Sequence, residues 1–517
     1  MQRATLATVG CALTATLALP GAALAAPKAA TPDKATAKAS AKLQDAVTPT
    51  GITRHLRELQ SIAERNGGNR ASGTVGYDRS VAYVSERLKA AGYAVTVQPF
   101  SFPYFQETAP ASFARTAPDA RTYVPETDFA TMEYSGSGDV TGTVVPVDVT
   151  VPPAPTPSST SGCEAADFAG FPQGAVALVQ RGTCDFATKA KNAQAAGAGA
   201  VVIFNEGQEG RQEVLTGTLG GPDLTVPVIG TSYADGKELV DLAAAGTTTV
   251  RITTQTLSET RMTANVLADS RTGRTDRTVV VGAHLDSVVD GPGINDNGSG
   301  TAQDLEIAEE LPKALKKPRN ALRFAFWGAE ESGLLGSTHY VESLTQEQRD
   351  QIMANLNFDM TASQNYVRFV YDGDGSDNPD IGAGPVGSDL IEGIFTEHFA
   401  SKGLASAPTA FDGRSDYGPF IAAGIPAGGL FAGAEGVKTA EEATLFGGTA
   451  GEPYDACYHT SCDTLGAINQ QALSEFADAA AHATVTLAQR RAPLTDNEAL
   501  KRGRRAAPEF AGPHAVR

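Results

Sequence analysis

The stretch Ala321–Tyr340, ALRFAFWGAEESGLLGSTHY, decides the architecture of the larger part of this chain. Ala321–Trp327 reads as a strand, and a helix follows Glu331. Upstream, TVVVGAHLDSV (Thr278–Val288) is β-branched and apolar throughout, the pattern of a strand covered on both faces in a parallel sheet. SGTAQDLEIAEELPKAL (Ser299–Leu315) follows it as a helix, and QIMANLNFDM (Gln351–Met360) supplies another buried strand. Strand alternating with helix predicts an α/β fold: a doubly wound, mostly parallel sheet flanked by helices. One feature of the opening stretch resists a purely structural reading. Glu330 and Glu331 are adjacent carboxylates that repel each other, and something must hold them at a strand end.

At 517 residues the chain exceeds one ordinary core, so two or more domains are expected. Its 41% apolar and 19% charged residues describe a soluble globular protein, and a formal charge of −18 repels phosphate backbones, arguing against nucleic acid. Residues 1–25 place one Arg before an apolar run that ends in small residues near Ala25, a secretory signal peptide. Thr residues and Pro20 interrupt that run, so it is not a membrane span. A lipoprotein anchor at Cys11 is the alternative, with Thr8 standing where such signals want an aliphatic residue.

Residues 26–50, rich in Ala, Lys, Thr and Pro, read as a disordered leader or propeptide, with order expected from about Thr53. Residues 51–131 and 256–490 are assigned to one discontinuous domain. Between them, 132–255 holds short β-type runs with one helix, FATKAKNAQAAGA (Phe186–Ala198). Residues 491–517 form a basic, flexible tail. Once Cys11 leaves with the signal, Cys163, Cys184, Cys457 and Cys462 remain, for which three pairings exist. The local pairs Cys163–Cys184 and Cys457–Cys462 are favoured over a metal–thiolate cluster in an exported protein.

In open α/β sheets, ligands gather beyond the carboxyl ends of the strands. His284 and Asp286 end one predicted strand, and Asp296 lies in the glycine-rich loop beyond it. Glu330 and Glu331 follow the next strand, Asp359 ends a third, and His459 lies in CYHTSCDT (Cys457–Thr464). Imidazole and carboxylate without thiolate suit zinc and related divalent ions. Five such ligands exceed the three that one catalytic zinc uses, and two metals sharing a bridging carboxylate account for the excess. Each residue alone has a milder reading, as a turn residue, an N-cap or a partner of a helix dipole. Their joint placement at strand ends favours chemistry.

Two resemblances carry this further. The run ALVQRGTCDFATKAKNAQAAGAGAVVIFNE (Ala177–Glu206) resembles a protease-associated (PA) domain, so 132–255 is expected to be an inserted β-rich PA domain, a lid or interaction module. GAHLDSV, GPGINDNGSGT, FAFWGAEESGLLGSTHYV, NLNFDM, GRSDYGPF and CYHTSCDT resemble the secreted di-zinc aminopeptidases of the Streptomyces type, to which Vibrio leucyl aminopeptidase is related. The resemblance implies a zinc-exopeptidase fold with two Zn2+ per chain, one held by His284 and Asp359, the other by Glu331 and His459, with Asp296 bridging. It implies Glu330 as general base and Tyr458 as hydrogen-bond donor to the oxyanion. It further implies a cis bond between Asp296 and Asn297. Asp286 is expected to accept a proton from the other ring nitrogen of His284, the alternative being a simple turn residue. Arg414 either binds substrate or pairs with Asp416, which itself helps orient the site. Gly291, Gly293, Gly298 and Gly300 are expected to let the loop around Asp296 turn sharply.

The expected activity is removal of N-terminal residues, large and apolar such as Leu, from peptides or proteins by a secreted monomer. A carboxypeptidase on the same scaffold and a non-enzymatic receptor-like protein are the alternatives. Calcium, a modulator in some relatives, finds no convincing site. GAGPVG (Gly382–Gly387) has dinucleotide-fingerprint spacing but lacks the required strand–turn–helix setting, and no G-x-S-x-G elbow is present.

Overall fold

A computed structural model describes residues 32–494; the predicted signal peptide, residues 26–31 of the predicted leader and all but four residues of the predicted tail lie outside that range. The sheet order, from one edge, is Ala407–Thr409, Phe369–Tyr371, Ala427–Phe431, Ile352–Asp359, Arg274–His284, Asn320–Trp327 and Thr249–Asp269. Its centre is parallel: Arg274–His284 runs alongside both Asn320–Trp327 and Ile352–Asp359, and the latter alongside Ala427–Phe431. The flanking pairings, Phe369–Tyr371 with Ala427–Phe431 and Asn320–Trp327 with Thr249–Asp269, are antiparallel. The central strands are apolar because helices cover both faces. Val279, Val281, Leu322, Phe324, Leu356 and Phe358 share one core with the helices Pro49–Arg65, Gly298–Ala314, Ser388–Ser401 and Gln470–Gln489. Val280, Ala325 and Trp327 face the other side, with Tyr340 and Phe420.

Two long strands join this α/β unit to the inserted one. Ala94–Ala117 and Thr249–Asp269 pair antiparallel almost throughout, from Ala94 opposite Asp269 to Ala117 opposite Thr249. The far half of Thr249–Asp269 then pairs with Gly138–Pro146, from which Val176–Gln180, Ala200–Phe204 and Val228–Thr231 continue in parallel. Phe129–Thr131 closes that edge against Val228–Thr231, so the inserted sheet begins before residue 132. The insert also contains a second helix, Tyr233–Ala245, where one was expected; its spacing is blurred by Gly236 and a C-terminal run of alanines.

Residues 34–46, which composition assigns to a disordered leader, form a helix capped by Asp33, whose carboxylate accepts the Thr36 N–H. Leu43 and Val47 enter the main core, and Ser40 reaches His482 on the last helix at 3.0 Å. Small Ala, Ser and Thr side chains allow this close approach yet contribute little hydrophobic signal. The next helix accordingly starts at Pro49, capped by Thr48, rather than at Thr53. At the other end, Leu494 is buried in the same core, so packing persists into the first residues of the predicted tail. Both disulfides, Cys163–Cys184 and Cys457–Cys462, are formed. No helix among the described residues is long and apolar enough to cross a membrane.

Candidate functional site

The parallel strands deliver the acidic and histidine side chains to one end of the sheet. His284 is the last residue of Arg274–His284, Asp359 the last of Ile352–Asp359, and Glu330 and Glu331 lie just beyond Trp327. Asp296 comes from the turn before the helix Gly298–Ala314, and His459 from the Cys457–Cys462 loop. The structure brings all six together. His284 Nε2 lies 3.2 Å from Asp296 Oδ1, 3.2 Å from Asp359 Oδ1 and 4.0 Å from Glu330 Oε2. His459 Nε2 lies 3.1 Å from Asp296 Oδ2 and 3.0 Å from Glu331 Oε2. Asp296 therefore stands between two imidazoles, presenting one carboxylate oxygen to each.

Backbone strain is concentrated here. Among the described residues seven non-glycine positions have positive φ, and four of them, Ala329, Leu334, Met360 and His459, flank the cluster. Such conformations persist only where surrounding contacts over-determine them. The Asp296–Asn297 peptide is cis, as expected. Of the four loop glycines only Gly293 has a positive φ, 61°. Gly300 serves a different need, because a Cβ there would lie 2.2 Å from the Phe358 carbonyl oxygen.

Several supporting residues carry no signal in the sequence beyond their nearness to a motif. Ser415 donates to Asp359 Oδ2 at 2.6 Å and accepts from Asn357 Nδ2 at 2.8 Å, fixing which oxygen of Asp359 faces His284. Asp463 accepts the N–H groups of Asn295 and Asp296 at 2.7 and 2.9 Å. Arg70, buried and more than 200 residues away in sequence, donates to the carbonyls of Leu285, Pro292 and Gly293 and clamps the loop leading to Asp296. No local pattern announces such a contact. Asp286 is placed beside His284, but its Oδ1 is 3.6 Å from Nδ1, longer than a hydrogen bond, while it accepts the Glu330 N–H at 3.3 Å.

Proton affinities in the cluster follow from burial and crowding. Burial raises Glu330, and the neighbouring carboxylates Asp416, Asp359 and Glu331 add to it against the pull of His284, leaving it well above the usual range. Burial and Asp296 raise Glu331 likewise. Burial opposes charge on His459, but Glu331 and Asp296 outweigh it and push the imidazole up to about 11. Asp296 is held below the ordinary carboxylate range, because hydrogen bonds from both imidazoles overcome its burial. Burial and the surrounding carboxylates raise Tyr458 above its ordinary value, so its phenol stays protonated and remains a donor.

The donor set fits a divalent cation of the zinc class. His284, Asp296 and Glu331 have ligand atoms within 4.8 Å of one another, as do His284, Glu330 and Asp359. Glu331 Oε1 is buried without a hydrogen-bond partner among the described residues, and His284 turns its Nε2 toward Asp296 and Asp359. Imidazole nitrogen and carboxylate oxygen are the donors that such ions take.

The cluster forms the floor of a cavity of about 320 Å³. Met360, Tyr371, Ala410 and Phe431 line one side; Ser332, Gly333 and Leu334 line another, and the inserted unit adds Glu133 and Thr218. Tyr458 stacks on His459 with ring centroids 3.8 Å apart. Arg414 does not pair with Asp416. Its guanidinium bonds Glu435 at 2.6 Å and lies 3.3 Å from the Tyr458 hydroxyl oxygen, because its side chain extends along the cavity rim while Asp416 is fully buried. Both carboxylate oxygens of Asp416 lack a hydrogen-bond partner among the described residues, and burial, with Asp359 and Asp286 nearby, pushes it up to about 7 against the pull of His284.

Residues 265–484 match peptidase family M28, and residues 140–239 match the PA domain. An aminopeptidase of Pseudomonas aeruginosa is 48% identical over 438 residues, covering 84% of this chain and 80% of that protein. A probable leucine aminopeptidase 2 of Aspergillus fumigatus is 40% identical over 424 residues, covering 81% of this chain and 79% of that one. The solved aminopeptidase from Aneurinibacillus sp. strain AM-1 is similar with a TM-score of 0.65 and 26% identity, covering 89% of this chain and 98% of that one. With the strand-end cluster, the inserted sheet and relatives of this identity in agreement, the chain belongs to peptidase family M28 and carries a PA domain.

Proposed function

We propose that the chain is a secreted zinc-dependent aminopeptidase that binds two zinc ions and releases large apolar N-terminal residues from peptides. The observation that carries this reading is the placement of Asp296, one oxygen toward His284 and the other toward His459. It is the geometry expected of a carboxylate that bridges two cations. His284 and Asp359 would hold one ion, and Glu331 and His459 the other. A zinc pair supplies acidity to the hydrolytic water and polarises the scissile carbonyl. Glu330, raised by burial, takes the proton from the attacking water and passes it to the leaving amine. Tyr458 donates its hydroxyl proton as a hydrogen bond to the oxyanion, with Arg414 holding the phenol from its oxygen side.

The apolar wall of Met360, Tyr371 and Phe431 suits a Leu-like first residue, in keeping with the leucine aminopeptidase name of the Aspergillus relative. A carboxypeptidase would rely on Arg414 to grip a C-terminal carboxylate, but that guanidinium is engaged by Glu435, which weighs against the alternative. The signal-like N-terminus and two disulfides support secretion. The deciding experiment is Glu330→Gln. Turnover of leucine p-nitroanilide should fall by about 10²–10⁴ while two zinc ions per chain remain by metal analysis. Undiminished turnover removes the assigned base, and one ion per chain removes the bridged pair.

A further inference from the structure

Glu435 stands at the end of a line of polar side chains that leads into the cavity. Its carboxylate accepts a hydrogen bond from Arg414 Nη1 at 2.6 Å, and Arg414 Nη2 donates to the Tyr458 hydroxyl oxygen at 3.3 Å. Tyr458 lines the cavity with Glu330, Glu331 and His459, and its ring is stacked on His459. Three side chains from three separate segments thus connect a carboxylate at the rim with a phenol inside.

The segment bearing Glu435 is tied to the one bearing Tyr458. The Ala434 carbonyl accepts the Asp455 N–H and the Gly436 carbonyl accepts the Tyr454 N–H, each at 2.8 Å. Asp455 in turn takes the Cys457 N–H at 2.8 Å, where the disulfide loop holding Tyr458 begins. Glu435 is therefore carried on backbone fixed against the loop it serves. Burial opposes charge on Glu435, but the Arg414 hydrogen bond outweighs it and holds the carboxylate below its usual range. The pair is fully charged at neutral pH.

Donors and acceptors dictate what this line does. A guanidinium only donates, so the Tyr458 oxygen accepts from Arg414 and turns its own proton elsewhere. Arg414 is a long, half-exposed side chain with many rotamers, and a second carboxylate, Asp412, also attracts it. Glu435 holds it to one direction. An ion pair this exposed adds little to folding stability, so its effect is on aim.

We propose that Glu435 is a positioning residue that acts through Arg414 to aim the Tyr458 hydroxyl proton at the developing oxyanion. This rests on the aminopeptidase reading, in which Tyr458 is the oxyanion donor. Such a donor counts most when charge develops on the carbonyl oxygen. Losing its aim lowers kcat and leaves ground-state binding largely intact.

The test compares Glu435→Ala and Glu435→Gln in two backgrounds, the full zinc-loaded enzyme and its Tyr458→Phe variant, on leucine p-nitroanilide. In the first, Glu435→Ala should lower kcat about tenfold with KM within about twofold, and Glu435→Gln, which keeps an accepting oxygen, should lose less. In the Tyr458→Phe background the same Glu435→Ala change should cost less than about twofold, because the group it acts through is gone. A structural role would repeat its loss in both backgrounds, so equal losses overturn the proposal. An unchanged kcat in Glu435→Ala overturns it too, as does loss of zinc from that variant, which would place the effect at His459. Release of leucine by the wild type with kcat unaltered in Tyr458→Phe removes the oxyanion donor and this proposal but keeps the aminopeptidase. Failure of the wild type to release leucine, with cleavage of an N-acetylated peptide at its C-terminus, overturns both.

Discussion

The carboxylate of Asp463 accepts the backbone N–H of Asp296 at 2.9 Å, tying the disulfide loop of His459 to the loop that carries the shared carboxylate. The same side chain takes the Asn295 N–H at 2.7 Å, so neither loop shifts without the other. Asp463→Asn leaves only one oxygen to serve two donors. Zinc affinity should fall by about 10–100-fold, as for other outer partners of metal ligands, read by competition with a chelating dye. Unchanged affinity would mean that the loops are held by other contacts.

Ser415→Ala removes the hydroxyl that links Asn357 to Asp359. Asp359 is then free to rotate, and the Asn357 amide loses an acceptor. The expected result is a drop of about tenfold in kcat with KM little altered, together with about 1–2 kcal/mol of stability by denaturant unfolding. A change in KM alone would place Ser415 against the substrate instead.

Phe431→Ala opens the apolar wall. Phe431 stacks on Phe369 with centroids 6.1 Å apart, so the ring is positioned from behind. The variant should lose about 10–100-fold in kcat/KM on leucine p-nitroanilide while the alanine substrate loses far less. Equal losses on both substrates would show that the ring serves the fold rather than side-chain selection.

Asp304 offers a pH test away from the reacting centre. It is fully buried on the helix Gly298–Ala314, neither oxygen has a hydrogen-bond partner among the described residues, and burial raises it well above 3.8. The folded protein therefore binds a proton that the unfolded chain releases near pH 4. Stability should decline as pH rises above that value until the native group itself ionises. Asp304→Asn removes this titration, so the difference between melting temperatures at pH 5 and pH 8 should shrink, with a gain of about 1–3 kcal/mol at the higher pH. An unchanged pH slope would exclude Asp304 as its source.

The parallel centre and the donor cluster were legible because each depends on local pattern. Thr278–His284 and Gln351–Asp359 announce buried strands by their own composition, and a ligand must stand where such a strand ends. Contacts between distant segments were not legible. Arg70 clamps carbonyls more than 200 residues ahead, and Glu435 rather than Asp416 answers Arg414. The helix Lys34–Ala46 was missed for a related reason. Its Ala, Ser and Thr side chains look like a solvated linker until the alanine-rich surface of Gln470–Gln489 is there to receive them.

That pair, Ala94–Ala117 with Thr249–Asp269, carries a consequence for the size of what can enter. Because both strands run from one unit into the other, with bulges between Glu107 and Ser112, the two units are joined by paired backbone rather than by a linker. Widening the opening between the units means bending the ribbon at those bulges or breaking ladder bonds, which restrains its aperture. Slender, unstructured polypeptide ends can thread such an opening, whereas an N-terminus locked into a folded domain is turned away at the rim.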